Sequence, residues 1–117
     1  MVVEAGTPFN ILVVCTGNIC RSPLAERLLT AEFARLGLGE NQVRVESAGV
    51  AALVGQPMTE QAAAQASLYG GNPTGHHARQ LVAEMVERAD LILTMERRHR
   101  AEVVRLVARA RRYAFTL

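Results

Sequence analysis

The sequence predicts an α/β domain, a four-stranded parallel sheet with helices on both faces. Two observations predict it. Strand-like and helix-like segments alternate along the chain, the pattern of a parallel sheet joined by crossover helices. The first apolar run, Phe9–Val14, is short, nearly continuous and rich in β-branched residues, as a strand buried on both faces requires.

The segments follow in order. After the first strand, Ser22-Pro23 opens a helix, with serine suited to the N-cap and proline to the first helical position. Ala25, Leu28, Leu29, Phe33 and Leu36 then recur at helical spacing, and Gly37 marks the stop. Val43-Arg-Val45 reads as a second strand leading into Ser47-Ala-Gly49. Thr59 to Tyr69 is an alanine-rich helix, followed by the turn-dense Gly70-Gly-Asn-Pro-Thr-Gly75. Leu81–Ala89 is helical, Asp90–Thr94 a third strand, Glu96 to about Arg109 a charged amphipathic helix, and Tyr113–Thr116 a fourth strand.

The 117 residues, 50% hydrophobic and 21% charged with a net charge of +2, suit one domain with a core of its own. Cys15 and Cys20 are too few and too close to staple a fold. No apolar run approaches the ~18 residues of a membrane span. The first eight residues lack the basic flank and apolar centre of a secretory leader. The expectation is a soluble cytoplasmic domain with no membrane partner. All thirteen basic residues are arginine, which excludes a Schiff-base or Walker-type lysine. Asp90 is the one aspartate, against ten glutamates.

Parallel sheets bind ligands at the carboxyl ends of their strands, where the strand order reverses. The loop after the first strand, Cys15-Thr-Gly-Asn-Ile-Cys-Arg21-Ser22-Pro23, is therefore the candidate site. A helix N-terminus offers unpaired N–H groups and a partial positive charge, an anion site. Gly17 permits a tight turn, and Asn18 tolerates the left-handed backbone that a nest of amides needs. Arg21 can fork onto two oxygens of an oxyanion such as inorganic phosphate. Cys15 faces the same positive field, which favours a thiolate nucleophile. A phosphate monoester seated there places phosphorus over sulfur for in-line attack.

The string Cys15-Thr-Gly-Asn-Ile-Cys-Arg-Ser-Pro-Leu-Ala-Glu26 resembles the signature of the low-molecular-weight protein tyrosine phosphatase family. The likeness extends through Ser47-Ala-Gly49, Gly75-His-His-Ala-Arg-Gln-Leu81 and Ala89-Asp-Leu-Ile-Leu-Thr-Met95. The resemblance implies that family's four-stranded parallel fold and a phosphotyrosine-containing protein as substrate, cleaved without metal through a cysteinyl phosphate. It implies Cys15 as nucleophile, Arg21 as phosphate-binding arginine, and Ser22 as the group that eases departure of the sulfur. Thr16, Gly17, Asn18, Ile19 and Cys20 complete the phosphate loop. Asn18, Ser22, Ser47 and His76 match the family's bracing hydrogen bonds. Val50–Gly55 occupies the place of its substrate-recognition loop, where Ala52 and Leu53 would form an apolar wall for a phenyl ring.

Two family features are missing. The general acid lies in an Asp-Pro pair, and no Asp-Pro occurs; Asp90 starts a strand, at the end of the sheet away from the loop. The last helix is also lacking. The expectation is a phosphatase domain over residues 1–117, incomplete beyond Leu117 and impaired in activity. An arsenate reductase on the same fold is an alternative, but that chemistry needs relay cysteines and none follows Cys20. An oxyanion-binding or regulatory module without the acid is another. Cys20 could trap an oxidised Cys15 as a disulfide or be a small apolar loop residue. His77 and His99 are expected to face solvent. Cys15, Cys20, His76 and His77 lack zinc spacing, so neither metal nor other cofactor is expected. Seven arginines between Arg97 and Arg112 read as a solvated helix face, with no nucleic-acid partner.

Overall fold

A computed structural model describes residues 6–117; the reading of the first residues as free of a secretory leader falls mainly on residues 1–5, outside that range. Strand β1 (Phe9–Cys15) pairs in parallel with β2 (Val43–Gly49) on one side and β3 (Leu91–Thr94) on the other, and β4 (Ala114–Thr116) pairs with β3. The spatial order is β2-β1-β3-β4, so the chain reverses its winding between β1 and β3. Loops leaving the carboxyl ends of those two strands face each other across the crevice where such sheets bind ligands.

The two faces of β1 follow from its period of two. Leu12 and Val14 lie in a core cluster with Leu81, Met85 and Val86 around helix α3 (Ala83–Arg88), and with Val103 of α4 (Arg97–Leu106). Helix α1 (Arg21–Arg35) packs on β1 and β2 and against α2 (Glu60–Leu68), whose Ala62 and Ala66 form a second small cluster with Met58. Leu12, Val13 and Val14 are fully buried. Each contributes about 1.5–3 kcal/mol relative to exposure, so the strand that carries the site is the best anchored in the sheet. The expected architecture is present, with helices on both faces.

Several boundaries differ from the sequence reading. Ser22 does not cap α1. The N-cap is Cys20, and Pro23 falls in the first turn, where a missing N–H costs nothing. The stop at Gly37 holds: its φ is +81°, and Leu38 N–H and Gly37 N–H donate to Phe33 O and Ala34 O, a Schellman closure. Leu36 is exposed and does not complete the apolar stripe. β2 runs four residues past Val45, pairing Ser47 with Val13 and Gly49 with Cys15. α4 ends at Leu106 and not near Arg109. Val107 turns extended to pack on the core, and a 3-10 turn over Ala108–Arg112 buries Ala110. Asp90 has the structural place expected of it, its Oδ2 accepting from Asn10 N–H at 2.8 Å at the start of β1.

Candidate active site

Cys15 is the last residue of β1, and the chain then curls through Thr16–Cys20 into α1. Six consecutive carbonyls of this curl point outward, each accepting from a group beyond the loop. Cys15 O takes Val50 N–H, Thr16 O takes Ala51 N–H, and Gly17 O takes Leu53 N–H. Asn18 O takes the His76 Nε2–H at 2.6 Å, Ile19 O takes Thr59 N–H, and Cys20 O takes Leu24 N–H. With the carbonyls engaged from outside, the N–H groups of Thr16–Cys20 have no acceptor among the described residues and are left as available donors. Asn18 makes the curl possible with φ 58°, the left-handed backbone read from its sequence position. Gly17 is not left-handed, and a Cβ there would make only ordinary contacts, with Ile19 Cγ1 at 3.7 Å and Leu53 at 3.9 Å.

The middle of the loop is braced from α1 and β2. Asn18 Nδ2 donates to Ser22 Oγ and to Ser47 Oγ, both at 2.9 Å, while Asn18 Oδ1 accepts from Arg79 N–H at 2.8 Å. Ser47 Oγ passes its proton on to Glu26 Oε1 at 2.6 Å. Ser22 Oγ lies 2.8 Å from Cys15 Sγ. Because Ser22 already accepts from Asn18, its own proton is free to be donated to the sulfur. Asn18, Ser22, Ser47 and His76 are all buried and joined in one network. Glu26 and Arg79 belong to it too; both lay in the recognised strings, but nothing local marks a surface-type residue as the end of a buried relay.

Backbone space is equally tight. A Cβ on Gly49 would overlap Thr16 O and press on Asn18 N at 3.0 Å. Gly49→Ala is therefore expected to destabilise the fold by about 1–3 kcal/mol and to weaken phosphate binding. Chemical denaturation with calorimetric titration of phosphate measures both, and unchanged values would show that the loop yields freely.

Across the crevice, the start of α4 holds the loop's other side. Arg21 Nη2 donates to Glu96 Oε2 at 2.8 Å, and Arg98 Nε to Glu96 Oε1 at 3.0 Å. The Arg98 and Arg21 guanidiniums hold the Glu96 carboxyl down to about 2, so it is charged at neutral pH. His99 is fully buried and not solvent-facing, a correction to the sequence reading. Its Nδ1 accepts from Glu96 N–H at 3.0 Å, which fixes the proton on Nε2 for donation to Thr16 Oγ1 at 2.9 Å. Burial pushes the imidazole below its ordinary value; Arg98 and Arg21 add to that shift and Glu96 opposes it. The available signal was the spacing Glu96-x-x-His99, a capping-box pattern at the start of a helix. His77 is exposed, as expected.

Leu53 stands at the loop, and Ala52 is tied through its N–H to Gln80 Oε1 at 2.9 Å. Cys20 is exposed, and both thiols are free. Among the described residues no group of three or more His, Cys, Asp or Glu is placed to hold a metal ion, and no helix is long and apolar enough to cross a membrane.

A family model described as low molecular weight phosphotyrosine protein phosphatase matches residues 10–117. The chain belongs to that family. Its low molecular weight phosphatase relatives include Etp of Escherichia coli K12, 46% identical over 102 residues, a match spanning 87% of this chain and 64% of Etp. Against Wzb of the same strain the figures are 49% over 90 residues, 77% and 56%. The chain thus spans less than two thirds of the length of these curated relatives. The crystal structure of Erwinia amylovora tyrosine phosphatase AmsI superposes with a TM-score of 0.80 at 40% identity, over 93% of this chain and 68% of that one. These phosphatases favour the phosphatase reading of the cysteine loop over that of an arsenate reductase.

Proposed function

We propose that this chain hydrolyses phosphotyrosine in proteins, and other aryl phosphate monoesters, through a cysteinyl phosphate on Cys15. The observation that carries the reading is the run of six outward carbonyls around a buried sulfur. Such a nest offers inward N–H donors to the phosphoryl oxygens, with Arg21 supplying a fork to two of them. The Cys15 thiolate attacks phosphorus in line, the P–O ester bond breaks, and the leaving phenolate takes its proton from solvent. Water then attacks the cysteinyl phosphate, releasing inorganic phosphate and the thiolate, and the Ser22 hydroxyl stabilises the departing sulfur. Thr16–Cys20 cradle the phosphoryl group, Asn18, Ser22, Ser47 and His76 keep the cradle's shape, and Ala52 and Leu53 form the apolar wall beside the ring. A thiol nucleophile must stay reduced, which suits a cytoplasmic setting.

Within these 117 residues the proton for the leaving phenolate has no aspartate near the loop, because Asp90 is bound at the opposite end of the sheet. A positioned acid contributes about 10²–10⁴-fold. Nitrophenolate leaves without that help, whereas tyrosine, with a pKa near 10, needs it. The 117-residue chain should therefore cleave nitrophenyl phosphate measurably and phosphotyrosine poorly. The test is kcat/KM across substituted phenyl phosphates at one pH. A steep fall with leaving-group pKa is expected. A flat dependence with brisk phosphotyrosine turnover would mean another residue supplies the proton, and no turnover of any aryl phosphate would overturn the phosphatase reading.

A further inference from the structure

We propose that His99 is a positioning residue for the phosphate loop, holding Thr16, the residue next to the sulfur, in place from the start of α4. The proposal rests on the phosphatase reading of that loop. Among the described residues His99 is the largest fully buried polar side chain, and both its ring nitrogens are used. Capping α4 needs only the Nδ1 side. The Nε2 side reaches across the crevice to a residue 83 positions earlier in the chain. The topology makes that reach possible, since the two loops follow β1 and β3, the strands that flank the reversal.

Thr16 Oγ1 also accepts from Arg98 Nη2 at 2.9 Å. With both lone pairs occupied, the hydroxyl can act only as a donor, and its rotamer is fixed by two partners on one helix turn. At the other end of the loop Arg21 is held by Glu96, whose own N–H is bound to the same imidazole. The start of α4 thus ties down both ends of the curl, while Asn18 anchors its middle from the opposite side. A shift of Thr16 would swing the first N–H of the nest, the one adjacent to the attacking sulfur.

Two substitutions separate the two nitrogens. In His99→Asn the side-chain oxygen replaces Nδ1 and keeps the cap but cannot reach Thr16. In His99→Gln the terminal amide replaces Nε2 and keeps the Thr16 contact but loses the cap. The measurements are kcat and KM for nitrophenyl phosphate, the affinity for inorganic phosphate by calorimetry, and the thermal midpoint. Positioning predicts that His99→Asn keeps its midpoint yet loses about tenfold or more in kcat/KM and in phosphate affinity. It predicts that His99→Gln has a lowered midpoint but recovers most of both. In a Thr16→Val background His99→Asn should add no further loss. If activity follows the midpoint, with His99→Asn the better enzyme, His99 is a cap only and the proposal is overturned. Additive losses in the double variant overturn it as well. Should the unsubstituted chain hydrolyse no aryl phosphate, the phosphatase reading has failed, and the phosphate affinities still decide the role of His99.

Discussion

Cys15→Ser is expected to abolish hydrolysis of nitrophenyl phosphate while leaving the loop able to hold phosphate. Cys15 is buried at the end of β1, and its Sγ meets a single hydroxyl donor, Ser22 Oγ at 2.8 Å. A serine oxygen fits the same space and keeps that hydrogen bond, so the braces on Asn18 and the outward carbonyls persist. What is lost is the nucleophile, because a serine hydroxyl has no neighbouring base here to take its proton. A fall on the order of 10⁴-fold or more in kcat is expected. Calorimetric titration with inorganic phosphate should still show binding. Substantial turnover by the serine variant would exclude a covalent route through Cys15.

Arg21→Lys is the second large effect expected. Lysine can keep a single ion pair to Glu96, an exposed contact worth about 0–1 kcal/mol, so thermal stability should barely change. It cannot supply the planar fork, and a point charge on a flexible stem does not match two phosphoryl oxygens. Transition-state stabilisation should drop by about 3 kcal/mol or more, read as kcat/KM on nitrophenyl phosphate. A variant within about threefold of the parent would remove Arg21 from the phosphate site.

These expectations rest on a loop that was legible because it is contiguous. Cys15 through Ser22 carry their geometry locally: a buried strand, a residue tolerant of positive φ, and a helix start. The sheet was legible for the same reason, through the apolar run of β1 and the alternation that follows. Ser47-Ala-Gly49 was harder to read. Serine, alanine and glycine are weak strand formers, and only pairing along the whole of β1 draws them into β2. His99 was misread because it lies in a stretch of arginines and its partner Thr16 stands 83 positions earlier in the chain. Glu96 and Glu26 share that difficulty, since topology supplies their partners Arg21 and Ser47.

The outward carbonyls also bear on what a very small ligand can afford. Ordering six residues, Cys15 to Cys20, would cost about 6–12 kcal/mol of backbone entropy if the ligand had to do it. That is comparable to the ~8 kcal/mol released in forming a micromolar complex. Here Val50, Ala51, Leu53, Thr59, Leu24 and His76 impose the order when the chain folds. Each binding event then begins from a rigid receptor. A group of five heavy atoms has too little surface to fold a loop around itself, so its capture depends on a mould cast in advance by neighbours that never touch it.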